Sequence, residues 1–244
     1  MLDYIIVGSG LSGIAVAEEL LHRKRKIMVY DDGSQNSSVV AGGLYNPVIL
    51  KRFTLAWNAD KQLEIAIPFY RKLETKLGAP LIEELQVYRK FSSVEEQNNW
   101  FAAMDKPKLS RYLDPKLISE LNPYIPSDFS FGRVVGTGRL NTASLIGEYK
   151  NFGKENGFLQ ETTCQHKDLL IEEDGLCFDK LKAKRIIFGD GFGIKYNPYF
   201  GFLSLHGNKG EYMIVKSPAL KLIVDVKSSV FILPRGNDRY KGGA

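Results

Sequence analysis

The sequence predicts a two-domain α/β chain, and three observations predict it. The first thirty-two residues read strand, glycine-rich turn, helix, strand. The chain then passes through mixed elements and ends in strands. Its 244 residues, at about 150 residues per domain, allow roughly 1.6 domains.

The first strand is Leu2 to Val7, a short apolar and β-branched run of the kind buried in a parallel sheet. Gly8-Ser9-Gly10-Leu11-Ser12-Gly13 follows at once. Leu11 to Arg23 then places Leu11, Ile14, Ala15, Ala17, Leu20 and Leu21 at helical spacing. Ile27 to Tyr30 is a second apolar strand, closed by Asp31 and Asp32. The glycine motif therefore has the context it requires: a strand before, a helix after, and an acid past the next strand, 31 − 8 = 23 residues beyond Gly8. Gly8 permits the tight turn, Gly10 lets a pyrophosphate approach the backbone, and Gly13 lets helix and strand pack closely. The helix N-terminus offers unpaired N–H groups to phosphates. Asp31 can accept from ribose hydroxyls and would repel a 2′-phosphate. These residues predict a Rossmann-like dinucleotide-binding domain. His22-Arg23-Lys24-Arg25-Lys26 reads as the cationic last turn of that helix and a solvated loop, not as a nucleic-acid contact.

Further elements follow in order. Residues 57–77 carry Leu63, Ile67, Tyr70, Leu73 and Leu77 on one helical face, closed by Gly78-Ala79-Pro80, with Pro68 kinking or starting the helix. Glu84 to Phe91 alternates like a strand. Ser93-Val94-Glu95-Glu96 is a capping box for a helix through Met104. Asp114-Pro115 is expected to open another helix, ended by Asn122-Pro123. Phe129 to Val135 reads as a strand, Asn141 as a helix N-cap, and Asp174-Gly175 as a hairpin turn. Ile214 to Val226 and Val230 to Leu233 read as strands. The expected division is a nucleotide domain of 1–56 and 138–195, and a second domain of 57–137 and 196–244. The latter is a mostly antiparallel β-sheet with helices.

Composition narrows the function classes. Apolar residues make up 44% and charged residues 25%, which excludes a disordered or fibrous chain. The net charge is 33 − 28 = +5. It is spread along the chain, which suits an anionic ligand and does not favour nucleic acid. Cys164 and Cys177 have neither disulfide-framework nor zinc spacing, and three histidines show no metal-ligand spacing, so no metal is expected. No apolar run has the length of a membrane span, and Met1-Leu2-Asp3-Tyr4 opens no signal peptide. A cytoplasmic setting is the expectation.

Beyond Asp32 the sequence resembles the glycine oxidase and D-amino acid oxidase family of FAD enzymes. In that family a small-residue segment of the type Ser-x-x-Ala-Ala-Gly runs from the pyrophosphate to the flavin. Here Ser38-Val39-Val40-Ala41-Gly42-Gly43 precedes Leu44-Tyr45-Asn46-Pro47. Lys184 to Gly191, ending Phe188-Gly189-Asp190-Gly191, resembles the strand that returns to the nucleotide sheet. Gly138 to Leu145 resembles the segment opening a helix of that domain, and Gly157 to Cys164 the next strand, whose end faces adenine. Lys209-Gly210-Glu211-Tyr212-Met213-Ile214, Val230 to Gly236 and Tyr240 to Ala244 resemble strands of the second, substrate (roof) domain.

The resemblance implies FAD, a small-molecule amine or amino acid substrate, C–N bond oxidation by hydride transfer to flavin, and oxygen as acceptor. The implied cofactor-binding residues are Gly8, Ser9, Gly10, Leu11, Ser12, Gly13, Tyr30, Asp31, Asp32, Ser38, Ala41, Gly42, Gly43, Leu44, Cys164, Gly189, Asp190 and Gly191. Tyr45, Asn46 and Arg52 are substrate-side candidates, and no catalytic acid or base stands out. About a third of the family pattern lies beyond Ala244, so the chain is expected to be C-terminally truncated, ending on an unpaired strand. Three alternatives stay open: a NAD-dependent dehydrogenase, an FAD domain like that of a tRNA wobble-uridine-modifying enzyme, and an inactive flavin-domain fragment. Oligomeric state is not legible.

Overall fold

The computed structural model describes residues 1–243. The chain divides into two compact units. One comprises Met1–Ala41, Leu77–Ala79 and Asn141–Asn208. The other comprises Gly42–Lys76, Pro80–Leu140 and Lys209–Ala244.

The first unit is built on a six-stranded sheet. Its order is Leu159–Gln160, Ile27–Tyr30, Leu2–Val7, Leu181–Phe188, Gly175–Phe178 and Leu170–Glu172. The first four strands are parallel, and the last two return antiparallel as a hairpin. Val7 stands beside Tyr30 on one side and Phe188 on the other, so three strand ends arrive level. Burial explains the order. Ile5 and Ile6 are both fully buried on successive, opposite-facing positions, which only a central strand covered on both faces permits. Helices Leu11–His22 and Thr142–Glu155 pack on this sheet and on each other. The Tyr149 hydroxyl donates to Glu18 at 2.9 Å between them.

The second unit holds a six-stranded sheet ordered Met213–Lys216, Arg239–Gly243, Phe231–Pro234, Asp225–Lys227, Val87–Lys90 and Phe131–Val134. All neighbours are antiparallel except Asp225–Lys227 against Val87–Lys90. A three-stranded sheet joins Leu44–Tyr45, Gly138–Leu140 and Ile82–Glu84. Helices Ala59–Leu77 and Val94–Met104 complete the unit. Its core centres on Trp100, fully buried, with Phe53 and Phe91 edge-on at 5.6 and 5.5 Å. Such aromatic pairs add about 0.5–1.5 kcal/mol beyond area burial.

Several elements differ from expectation. The stretch Glu84 to Phe91 is not one strand: Ile82–Glu84 and Val87–Lys90 belong to different sheets, because Leu85 and Gln86 turn between them. No helix begins at Asp114. That carboxylate instead accepts from the Lys116 N–H and pairs with Arg133, while Ile118 bridges to Phe131. Helix Ala59–Leu77 runs through Pro68 rather than starting there. Ile214 to Val226 is two strands separated by a turn, since Ser217 N–H bonds Asp238 and the chain leaves the sheet. In the capping box, Ser93 accepts from Glu96 N–H at 3.1 Å, but the Glu96 carboxylate reaches Ser92 rather than Ser93. Arg239–Gly243 is not an edge: it lies between Met213–Lys216 and Phe231–Pro234. The exposed edge strand is Met213–Lys216. Ala244, the last residue of that expected strand, lies outside the described residues.

The compact units also cross at Ala41/Gly42 rather than at 56/57. The reason is pairing: Leu44 and Tyr45 bond across to Arg139 and Gly138, which ties residues 42–56 to the second unit.

Candidate functional site

The first unit carries a cleft of about 350 Å³ at the level ends of its central strands. Among the sequence-selected residues, Gly8, Gly10, Ser12, Tyr30, Asp31, Asp32, Ser38, Cys164, Gly189, Asp190 and Gly191 line it. Ser9, Leu11 and Gly13 stand in the same turn without lining it. Two close approaches account for the glycines. Gly8 has φ +93°, and a Cβ there would sit 2.5 Å from the Gly189 carbonyl oxygen. A Cβ on Gly13 would run into the Gly8 carbonyl. Gly189 N–H in turn bonds Val7 O at 2.6 Å, so the returning strand and the first turn are locked together.

Asp31 is the polar centre of the cleft. Its Oδ2 accepts from the Ser9 N–H at 2.6 Å and the Ser9 hydroxyl at 2.9 Å. Its Oδ1 accepts from Gly33 N–H at 2.8 Å and from Lys150 Nζ at 2.6 Å. Burial opposes its ionisation most strongly, but Lys150 and the Ser9 and Gly33 donors outweigh it and hold the carboxyl below the usual range. Asp32 accepts from Ser34 N–H and the Thr163 hydroxyl, which also lower it, Ser34 foremost. Ser38 Oγ faces Leu11 N–H at 3.5 Å, the start of the helix.

Three polar atoms around the cleft are buried without a hydrogen-bond partner: Tyr30 Oη, His166 Nε2 and Asp190 Oδ1. Burial, aided by charges at Asp179 and Cys164, pushes the Tyr30 phenol up to about 12. Burial, with the charges of Asp190 and Asp168, likewise pushes the Cys164 thiol up to about 11. Buried polar groups are nearly always partnered; of these three, Tyr30 packs edge-on against Phe178 in the core of the unit. The glycine cradle and the Asp31 carboxylate at the strand ends fit a dinucleotide such as FAD.

Sequence reasoning missed Ser34, Gln35, Ser37, Thr162, Thr163, Gln165, His166, Gly193 and Tyr196, which also line the cleft. It also missed Lys150. Thr163 and His166 adjoin Cys164 and were within reach of the strand-end argument. Lys150 sits 119 residues from Asp31, in mid-helix, and no local pattern announces it.

Ala41 belongs to the first unit but does not line the cleft. Gly42, Gly43, Leu44 and Asn46 line a separate cavity of about 410 Å³ in the second unit, with Lys51, Tyr212, Asp225, Lys227, Phe231 and Leu233. Gly43 has φ +71°, and a Cβ there would strike the Leu140 carbonyl. Asn46 caps its own turn through Val48 N–H at 2.8 Å. Tyr45 is packed against Gly138, and burial raises its phenol. Arg52 is exposed and lines neither cavity. No helix among the described residues is long and apolar enough to cross a membrane.

Comparison with known proteins agrees with this geometry. Over residues 3–244 the chain matches the family described as DAO, FAD dependent oxidoreductase. A glycine oxidase from Bacillus cereus ATCC 14579 has a similar structure, with TM-score 0.76 and 22% identity, over all of this chain and 72% of that one. A glycine oxidase from Geobacillus kaustophilus gives 0.73 and 18%, over all of this chain and 70% of that one. An L-proline dehydrogenase from P. horikoshii gives 0.70 and 14%, over 99% and 69%. At such identities the structures speak for the fold alone, while the family match settles flavin against nicotinamide. The chain belongs to the FAD-dependent oxidoreductase family.

Proposed function

We propose that the protein oxidises the C–N bond of a small amine or amino acid, with molecular oxygen as acceptor. The observation that carries the reading is the glycine cradle of Gly8, Gly10 and Gly13 beside the buried Asp31 carboxylate. The substrate class is supported by similar structures named glycine oxidase and iminodiacetate oxidase. When bound, FAD supplies the hydride acceptor, and the protein supplies binding and orientation.

The residues of the first unit divide that work. The N-terminus of helix Leu11–His22, with Gly10 and Ser12 beside it, faces the pyrophosphate. The Ser38 hydroxyl, 3.5 Å from Leu11 N–H, donates to a phosphate oxygen. Asp31 takes the ribose hydroxyls. Its two oxygens already receive four donors, about the capacity of a carboxylate. A ribose hydroxyl therefore replaces one of them, and the Ser9 hydroxyl, free to rotate, gives way. Gly189, Asp190 and Gly191 approach the phosphates and ribose from the returning strand, and Cys164 stands by the adenine. In the second unit Gly42, Gly43 and Leu44 approach the flavin ring; Tyr45, Asn46 and Arg52 are assigned to the substrate side. A reducing cytoplasm suits the two free cysteines.

The test is a visible spectrum of the purified protein after loading with FAD and desalting, followed by anaerobic mixing with glycine, sarcosine and other small amines. Retained two-band flavin absorption that bleaches with one of them supports the reading. A protein that retains FAD and bleaches with none of them refutes the substrate class. A protein that retains no FAD refutes the binding assignment.

A further inference from the structure

The cleft assigned to a pyrophosphate has acidic walls. Asp31, Asp32 and Asp190 line it, and among the described residues no lysine or arginine does. Asp32 accepts from the Ser34 N–H and the Thr163 hydroxyl, and Asp190 from the Asn197 side-chain amide at 2.7 Å, all neutral donors. Asp31 differs. Lys150 Nζ stands 2.6 Å from its Oδ1, with the two side chains 17% and 14% exposed. Lys150 comes from helix Thr142–Glu155 and is not part of the cleft wall. Lys154, one turn further along that helix, is taken by Glu161 at 3.0 Å. The N-terminus of helix Leu11–His22 brings about half a positive charge, against the charges of a pyrophosphate and of three carboxylates.

We propose that Lys150 is the counter-charge that lets this acid-lined cleft accept an anionic dinucleotide. By neutralising Asp31 in place, it removes that carboxylate's repulsion of the phosphates and still leaves Asp31 able to accept from ribose. The bonding allows both. Lys150 and the Gly33 N–H hold Oδ1, while the Ser9 N–H and hydroxyl hold Oδ2. The ammonium therefore does not occupy the oxygen at which the Ser9 hydroxyl gives way. Lys150 acts through Asp31 and is a positioning residue for the cofactor, not a ligand of it. The inference rests on the dinucleotide seat proposed above.

The test is isothermal titration calorimetry of the whole chain with ADP and with adenosine, which has the same base and ribose without the phosphates. Lys150→Gln keeps a donor for Asp31 and removes the charge. It should weaken ADP by about tenfold, the scale of one charge acting across a partly screened cleft, and change adenosine by less than about twofold. Lys150→Arg keeps the charge and should bind ADP like the natural chain. A double variant, Asp31→Asn with Lys150→Gln, loses both charges together and should return the ratio of ADP to adenosine affinity towards the natural value. It carries the test if the single variant, with Asp31 left unpaired, does not fold. A folded Lys150→Gln that binds ADP as before, or that loses ADP and adenosine alike, overturns the counter-charge. So does a double variant whose ratio stays about tenfold low. A natural chain that binds neither ligand refutes the dinucleotide seat itself, and this inference with it.

Discussion

Replacing Asp225 by asparagine should stabilise the protein at pH 8 and destabilise it near pH 4. Burial pushes the Asp225 carboxyl up to about 7 from 3.8, and the attraction of Lys227 and the Val226 N–H offsets only part of it. The unfolded chain therefore releases this proton more readily than the folded one. Stability is unaffected below the unfolded value and falls as pH rises through the interval between the two. The interval is about 3 pH units, worth about 4 kcal/mol at 1.36 kcal/mol each. Asparagine avoids the charge but keeps a polar group there, which returns about 1–3 kcal/mol. The net gain is about 1–3 kcal/mol at pH 8. At about 2–4 °C per kcal/mol for a chain of this size, Tm should rise by several degrees. Lys51, Lys227 and Tyr212 line the same cavity, and Arg89 on the adjoining strand is paired with Glu96. All are present in both proteins and cancel in the difference. Scanning calorimetry from pH 4 to 8.5 gives that difference directly. A difference in Tm that stays flat across the range would refute the argument.

Other substitutions address the first unit. Gly13→Ala should cost about 1–3 kcal/mol, because the new Cβ meets the Gly8 carbonyl; FAD retention after desalting should fall with it, and an unchanged flavin content would contradict the cradle. Lys150→Met leaves Asp31 short of its cation, both side chains being under a fifth exposed; urea titration should show a loss of about 1–3 kcal/mol at pH 7. Because the Asp31 carboxyl is held low, that loss should shrink as pH falls below the ordinary carboxylate range, and a loss independent of pH would count against the pair. Cys164, 8% exposed with its thiol raised to about 11, should resist iodoacetamide at pH 7.5 in the folded protein; mass spectrometry showing it alkylated before unfolding would show the cleft to be more open than described.

How much of this was legible beforehand depended on sequence distance. The turn from Gly8 to Gly13 and the acid at Asp31 are local consequences of backbone geometry, so spacing alone reveals them. Helix Val94–Met104 announced itself through Ser93 and Glu96, and helix Thr142–Glu155 through Asn141. The segment after Asp114 misled, because its helix-start residues are consumed by Arg133 and Phe131, neither of them near in sequence. Lys150 on Asp31 is likewise a meeting of distant residues.

The sequence by itself determined the periodic elements, the glycine cradle and the family, since each depends on neighbours within a few turns of chain. Tertiary structure alone decided three things. It put Arg239–Gly243 inside its sheet, joined residues 42–56 to the second unit, and left one carboxylate oxygen of Asp225 buried without a partner. Strand order, pairing and burial are set by which distant segments exclude water together, and no window of sequence contains both sides of that choice.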